Sequence, residues 1–164
     1  MTIHEHGSGL PTASDNSKTC VCCTRAKASP ITITDVDVRV EREPLLRPFG
    51  FKGACITEIW QSMSFMQGNS GPGRIGLSGQ SILWSDARVF ASHSERDGNA
   101  LMLALTEYAL KIARGRSFFT PVNLLDDILE EVYDHGKALT NTPDLRKTFA
   151  LNALVGVDNA AWLL

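Results

Sequence analysis

Residues 142–164 read TPDLRKTFALNALVGVDNAAWLL, and this run decides how the rest of the chain is understood. Thr142 can cap a helix, and Pro143 suits the first turn, where a missing backbone N–H costs nothing. After Lys147 nearly every position is apolar or small, from Phe149 and Ala150 through Leu154 and Val157 to Trp162, Leu163 and Leu164. A helix apolar all round belongs inside a protein. The run nevertheless reaches Leu164 without a polar cap or a glycine stop, and bare Trp-Leu-Leu is poorly suited to water. The expectation is a buried closing helix that continues into another folded unit, with Trp162, Leu163 and Leu164 at the interface.

Upstream of this helix, the length of 164 residues allows one domain with its own core. A net charge of −2 without a basic stripe argues against nucleic acid as a partner. No apolar run reaches the roughly 20 residues of a membrane span, since Asn152 and Asp158 interrupt even the final segment. Residues 1–30 carry no apolar signal core, so a cytoplasmic location is expected. They are rich in Ser, Thr, Gly and Ala without hydrophobic period, and read as a disordered extension ahead of a domain at 31–164. A start codon assigned too far upstream would look the same. Cys20, Cys22, Cys23 and the distant Cys55 do not have the spacing of paired zinc knuckles, even with His4 and His6 nearby, and no metal site is expected.

Residues 31–43, ITITDVDVRVERE, form the first clear strand. Ile31 and Ile33 share one phase while Val36, Val38 and Val40 share the other, which implies a bulge near Asp35. Pro44 and Pro48 should end it. Residues 56–67 form a second strand, with Ile59, Met63 and Phe65 marking one face, and Asn69-Ser70-Gly71-Pro72-Gly73 is a hairpin turn. Residues 74–78 begin a third strand that resumes at 81–84. Ser85-Asp86 caps a short helix reaching Ser92, which Asp97-Gly98-Asn99 breaks. Residues 100–114 and 121–135 are amphipathic helices, stopped by Gly115 and Gly136. The fold class is therefore α+β, a three-stranded antiparallel meander followed by three or four helices.

No complete active site is legible. The glycine-rich segment 68–79 lacks the Gly-Lys-Ser/Thr ending of a phosphate loop and reads as a hairpin. Asp126, Asp127, Glu130 and Glu131 fall on the wet face of an amphipathic helix. His93 and His135 have no sequence partner, and no serine sits in a nucleophile elbow. The segment 44–54, PLLRPFGFKGA, stands out because Arg47, Phe49, Phe51 and Lys52 place cations and aromatics on a glycine-hinged loop. Such a loop has the composition of a lid over an anionic substrate, or of an ordinary surface loop with its phenylalanines tucked inward.

The order of these motifs resembles the N-terminal capping domain of the enolase superfamily, in its mandelate racemase/muconate lactonizing branch. The matching residues are the opening ITITDVDVRV strand, Arg47-Pro48-Phe49, the glycine-rich strand at 73–80, and the spacing of Ala150, Ala153, Asp158, Ala160 and Trp162. The chain departs from the family at Gly76-Leu77-Ser78-Gly79-Gln80, where Gly-x-Gly-Glu is usual, and at Trp162-Leu163-Leu164, where Trp-Asp-Leu is usual. The resemblance implies a C-terminal barrel beyond Leu164 that supplies Lys or His bases and carboxylates for Mg²⁺, while this chain holds no cofactor and no catalytic residue of its own. It implies a racemase, epimerase, cycloisomerase or acid dehydratase acting next to a small substrate's carboxylate, and a homo-oligomer. The cap would choose the substrate through Arg47, Phe49, Phe51, Lys52, Gln80 and Trp84, on segments 44–54 and 80–86. The alternative is a non-enzymatic interaction module whose apolar C-terminal helix dimerises or binds a partner.

Overall fold

The computed structural model describes residues 29–51 and 53–164. The expected extension, with Cys20, Cys22 and Cys23, lies outside them, as does Lys52. Three long strands come first: β1 (Ile31–Phe51), β2 (Ala54–Gly68) and β3 (Arg74–Gln80). Next come α1 (Ile82–Ser85), α2 (Ala87–Ser92) and α3 (Glu95–Ala113), then the two-residue strand β4 (Ser117–Phe118), α4 (Pro121–Leu139) and α5 (Lys147–Leu163). The sheet is antiparallel with strand order β3-β2-β1-β4. The α+β meander is as expected, and β4 is an addition. Gly115, at a φ of 85° that suits glycine, turns the chain after α3 so that Phe118 pairs with Ile31.

Helices cover one face of the sheet. Along β2 the buried positions are Trp60, Ser62, Ser64, Met66 and Gly68, so two serines lie on the face facing the helices. Ile59, Met63 and Phe65 lie on the other face, in the opposite phase. The core joins Ile33 and Met66 from the strands to Met102, Leu105, Ile128, Phe149 and Leu154 from the helices. The bulge near Asp35 is present, as a register shift between Ile33 and Asp35.

Several element boundaries differ from expectation. Pro44 does not end β1, because it pairs opposite Glu58 and the strand runs on to Phe51. Pro48 sits in a bulge between Pro44 and Phe49, where the missing N–H is tolerated. The third strand does not resume after Gln80, since residues 82–85 wind into α1. Gly98 lies inside α3, because the break falls one turn earlier, where Ser94 caps the helix by accepting from the Asp97 amide at 3.1 Å. Gly136 is buried within α4, against Leu105 and Leu145, and the turn that follows falls at Asn141, whose φ is 49°. Thr142 does not cap α5, which starts at Lys147 behind Arg146.

α5 is also not buried all round: Leu151, Val155 and Trp162 leave an apolar stripe in water. Its other face closes the edge of the sheet. β3 is an edge strand, and α5 meets a backbone group within it and another just past its end. Asn152 Oδ1 accepts from the Ser81 amide (3.2 Å), and Asn159 Nδ2 donates to the Leu77 carbonyl (2.9 Å). From the strand side, Arg74 Nε donates to the Leu163 carbonyl at the helix end (2.9 Å). A helix can lie this close only over glycine. A β-carbon at Gly76 would overlap the Gly156 carbonyl and the Ala160 amide, and one at Gly156 would stand 2.7 Å from Ser64 Oγ.

Candidate functional site

The tip of the β1–β2 hairpin and the segment following β3 meet at one end of the sheet. The bulge at residues 45–48 throws Leu46 fully into solvent and lets the ladder resume at Phe49 opposite Ile56. The tip closes at Gly53, with φ 80°. The described residues of 44–54 thus form a bulged β-hairpin and not a loose loop. Phe49 and Phe51 both stack on Trp84 of α1, with ring centroids 5.9 and 4.9 Å apart. Two sequence-distant candidate segments therefore converge on a three-ring cluster, in which Trp84 keeps 46% of its surface exposed. Arg47 is exposed in the bulge and makes no ion pair among the described residues.

Beneath this cluster lies a cavity of about 200 Å³. Its apolar wall comes from Ile56, Ile59, Ile82, Trp84 and Phe90. Its polar positions are Gln80, Ser81, Asn99, Glu58 and Glu95, and no cation is among the described residues that line it. Gln80 is 6% exposed and donates through Nε2 to Ser62 Oγ (3.0 Å), while its Oε1 has no hydrogen-bond partner among the described residues. Glu58 accepts from Trp60 Nε1 (2.7 Å) and from Arg42 Nη2 (2.7 Å), and the Trp60 hydrogen bond leads in holding its pKa below the ordinary value, with Arg42 adding to it against burial. Glu95 accepts from the Thr57 amide and hydroxyl at 2.8 and 2.7 Å, completing β2 where β3 has already ended opposite Trp60. Sequence reasoning missed Glu58, Glu95 and Asn99, because their convergence depends on where β3 stops and α3 starts.

The α1 segment is fixed from behind. Asp86 is fully buried and accepts from the Arg88 amide (3.0 Å), Arg88 Nη2 (2.9 Å) and the Arg146 amide at the start of α5 (3.0 Å). Burial alone would raise its pKa, but Arg88 and the two amides outweigh that and hold it down at about 2. Asp144 also pairs with Arg88, and Thr148 Oγ1 donates to the Ser85 carbonyl (2.6 Å). Trp84 is thereby mounted on the first turns of α5.

Several of the other chemistry-bearing residues have partners of their own. Glu131 pairs with Arg116 at 2.9 Å and accepts from Tyr108, and Glu130 pairs with Lys147. His135 stacks on Tyr108 at 3.8 Å and His93 Nδ1 lies 2.9 Å from the Val89 carbonyl. Cys55 is an exposed free thiol. Among the described residues no group of three His, Cys, Asp or Glu is arranged to hold a metal ion, and the resemblance places Mg²⁺ on the barrel and not on these residues. No described helix is long and apolar enough to cross a membrane. Trp162 and Leu163 are 61% and 55% exposed, whereas Leu164 is half-buried against the core. These interface candidates sit beside Arg74, at the far end of β3 from Gln80, roughly 20 Å away at 3.3 Å per residue.

Elements of this kind, an antiparallel meander with a long hairpin and helices packed on one face, define the fold of the enolase N-terminal domain. The sequence itself matches no protein-family model and no curated protein. Among solved structures, the fold is similar to that of an enolase from the alpha proteobacterium bal199 with bound Mg, at a TM-score of 0.50 and 14% identity, over 80% of this chain and 30% of that one. An enolase from Bradyrhizobium complexed with magnesium and mandelic acid aligns at 0.49 and 17% identity, over 82% of this chain and 31% of that one. A mandelate racemase/muconate lactonizing protein from Herpetosiphon aurantiacus aligns at 0.47 and 14% identity, over 81% and 30%. At such identities the likeness is one of fold. The chain spans about 30% of the length of these structures.

Proposed function

We propose that this chain is the substrate-capping domain of an enolase-type enzyme, a racemase, epimerase, cycloisomerase or acid dehydratase, and is inert without the barrel that holds the bases and Mg²⁺. The observation that carries this reading is the convergence of Phe49, Phe51 and Trp84 at one end of an enolase-like fold. A cap working with a barrel chooses its substrate through side chains that meet the group farthest from the reacting carbon. A mixed aromatic surface of this kind, fixed to α5 on one side and to a hairpin on the other, suits that role. The exposed Trp162 and Leu163 supply a second contact region, and a body touching both ends of β3 must itself be of domain size.

The test is the gene beyond the Leu164 codon. A Lys-x-Lys strand end followed by three regularly spaced acidic strand ends is expected, and an enzyme made from that longer frame should lose substrate affinity when Trp84→Ala removes the central ring. A frame that continues into an unrelated domain, or a variant with unchanged KM, overturns the reading. The exposed stripe of Leu151, Val155 and Trp162 favours one rival, a module that dimerises through α5. A dimer of the 164-residue chain that Trp162→Glu dissociates would support that rival.

A further inference from the structure

We propose that the sheet face turned away from the helices binds a second copy of this chain, in an isologous pair with the two sheets stacked face to face. An antiparallel sheet with one face on a core normally presents polar side chains on the other. Here the outward positions of β2 and β3 are apolar where the two strands run side by side. Phe65 stands opposite Ile75, and Met63 opposite Leu77. Ile75 and Leu77 keep 54% and 58% of their surface exposed. Asp37, Arg39, Met63, Phe65 and Ile75 surround a hollow of about 230 Å³ in this face.

The charges on the neighbouring strand identify the occupant. On β1, Asp37 stands opposite Phe65 and Arg39 opposite Met63. Two rows therefore cross the face, Asp37-Phe65-Ile75 and Arg39-Met63-Leu77. A two-fold axis between the stacked sheets, running across the strands and midway between these rows, lays each row on the other. It sets Asp37 against Arg39 of the second copy twice over, and seats Leu77 of one copy on Ile75 of the other, at the rim of the hollow. Arg39 and Asp37 pair within the chain at 3.4 Å with their side chains 80% and 60% exposed, so the two-fold closes a ring of four alternating charges. Asp35, which the same axis brings toward Glu41, is drawn aside to Arg114 at 3.9 Å. With strands about 4.8 Å apart and a rise of about 3.3 Å per residue, the paired strands opposite residues 35–44 offer a footprint of roughly 400 Å² per copy. That is about half the ~800 Å² that each partner gives to a standard interface, so the pair is weak, with a dissociation constant on the order of 100 µM. The stacking uses none of the barrel contacts proposed above and is independent of the capping role.

Sedimentation velocity of the 164-residue chain tests the proposal. A reversible monomer–dimer equilibrium is expected between roughly 5 and 500 µM, the range a weak interface requires. Leu77→Lys should abolish it, and Trp162→Glu on α5 should leave it unchanged. Asp37→Arg and Arg39→Asp should each raise the dissociation constant at least about tenfold, because each sets like charges against one another across the axis. Mixing these two variants should restore a dimer, since every facing charge is then opposite in sign. A monomer throughout the range, a dimer that survives Leu77→Lys or dissociates with Trp162→Glu, or charge variants that fail to pair when mixed would each overturn it. The substituted positions are exposed, and circular dichroism of each variant checks that the fold is kept.

Discussion

Replacing Gly76 with alanine tests the packing on which the whole arrangement rests. The added β-carbon would overlap the Gly156 carbonyl and the Ala160 amide of α5, and would stand 3.0 Å from the Asn159 carbonyl carbon. All three neighbours are helix backbone, so no side chain can swing aside, and α5 must lift from β3. Overpacking of this kind costs about 1–3 kcal/mol, and the immovable neighbours place Gly76→Ala at the upper end. Lifting the helix also strains the Asn159–Leu77 hydrogen bond of 2.9 Å, worth about 1 kcal/mol. The sum is about 3–4 kcal/mol, read as a lower urea midpoint at unchanged slope. Gly79→Ala on the same strand is the control, because nothing lies within 4 Å of its new β-carbon. It should cost under about 1 kcal/mol. If Gly76→Ala matched Gly79→Ala in midpoint, the backbone of α5 would not lie in contact with β3 at Gly76.

The remaining expectations concern single side chains. Gly156→Ala should cost less, about 1 kcal/mol, because its nearest obstacle at 2.7 Å is the Ser64 hydroxyl, and Ser64→Ala should recover most of that in a double-mutant cycle by urea unfolding. Ser64→Ala alone should be neutral or slightly stabilising, since its buried hydroxyl has no partner among the described residues. Asp86 titrates at about 2 in the folded protein against 3.8 unfolded, so its stabilisation is complete above about pH 4 and fades as pH falls toward 2. It amounts to about 2 kcal/mol. Asp86→Asn should lower stability at pH 7 by a similar amount, and the gap from wild type should narrow between pH 4 and pH 2 in acid unfolding curves. Trp84→Ala should remove most of the near-ultraviolet circular dichroism of the ring cluster while costing only about 1–2 kcal/mol, because the indole is nearly half exposed.

Periodicity and turn chemistry carried the elements a long way. The alternation of Val36, Val38 and Val40 against Ile31 and Ile33 located a bulge, and Gly71 and Gly115 marked true turns. Glycine and proline misled wherever tertiary packing reassigned them. Pro48 fits within a bulge without ending the strand, and Gly98 and Gly136 are packing positions inside helices, against Ile82 and against Leu105. At the candidate site, Phe49 and Phe51 could be singled out by composition and Trp84 by the family resemblance, and the structure brings them together. Gln80 was named for a contact in the open and proves to be buried. Glu95 could not be found from sequence, because its role comes from the length of β3: the strand ends at Gln80 and leaves the Thr57 amide to be met by a side chain.

The attachment of α1 to α5 has a mechanical meaning. Ser81, Ser85 and Asp86 are each tied to the first half of α5, through Asn152, Thr148 and the Arg146 amide. Any rotation of the closing helix therefore carries Trp84 with it. Phe49 and Phe51 ride instead on a hairpin tip whose strand pairing beyond the bulge comprises Phe49, Gly50 and Phe51. The stacking of the two phenylalanines on Trp84 is thus the seam between a part anchored to the helix and a part carried by the hairpin. Motion at this end of the molecule would open between the rings, with the cavity floor left in place.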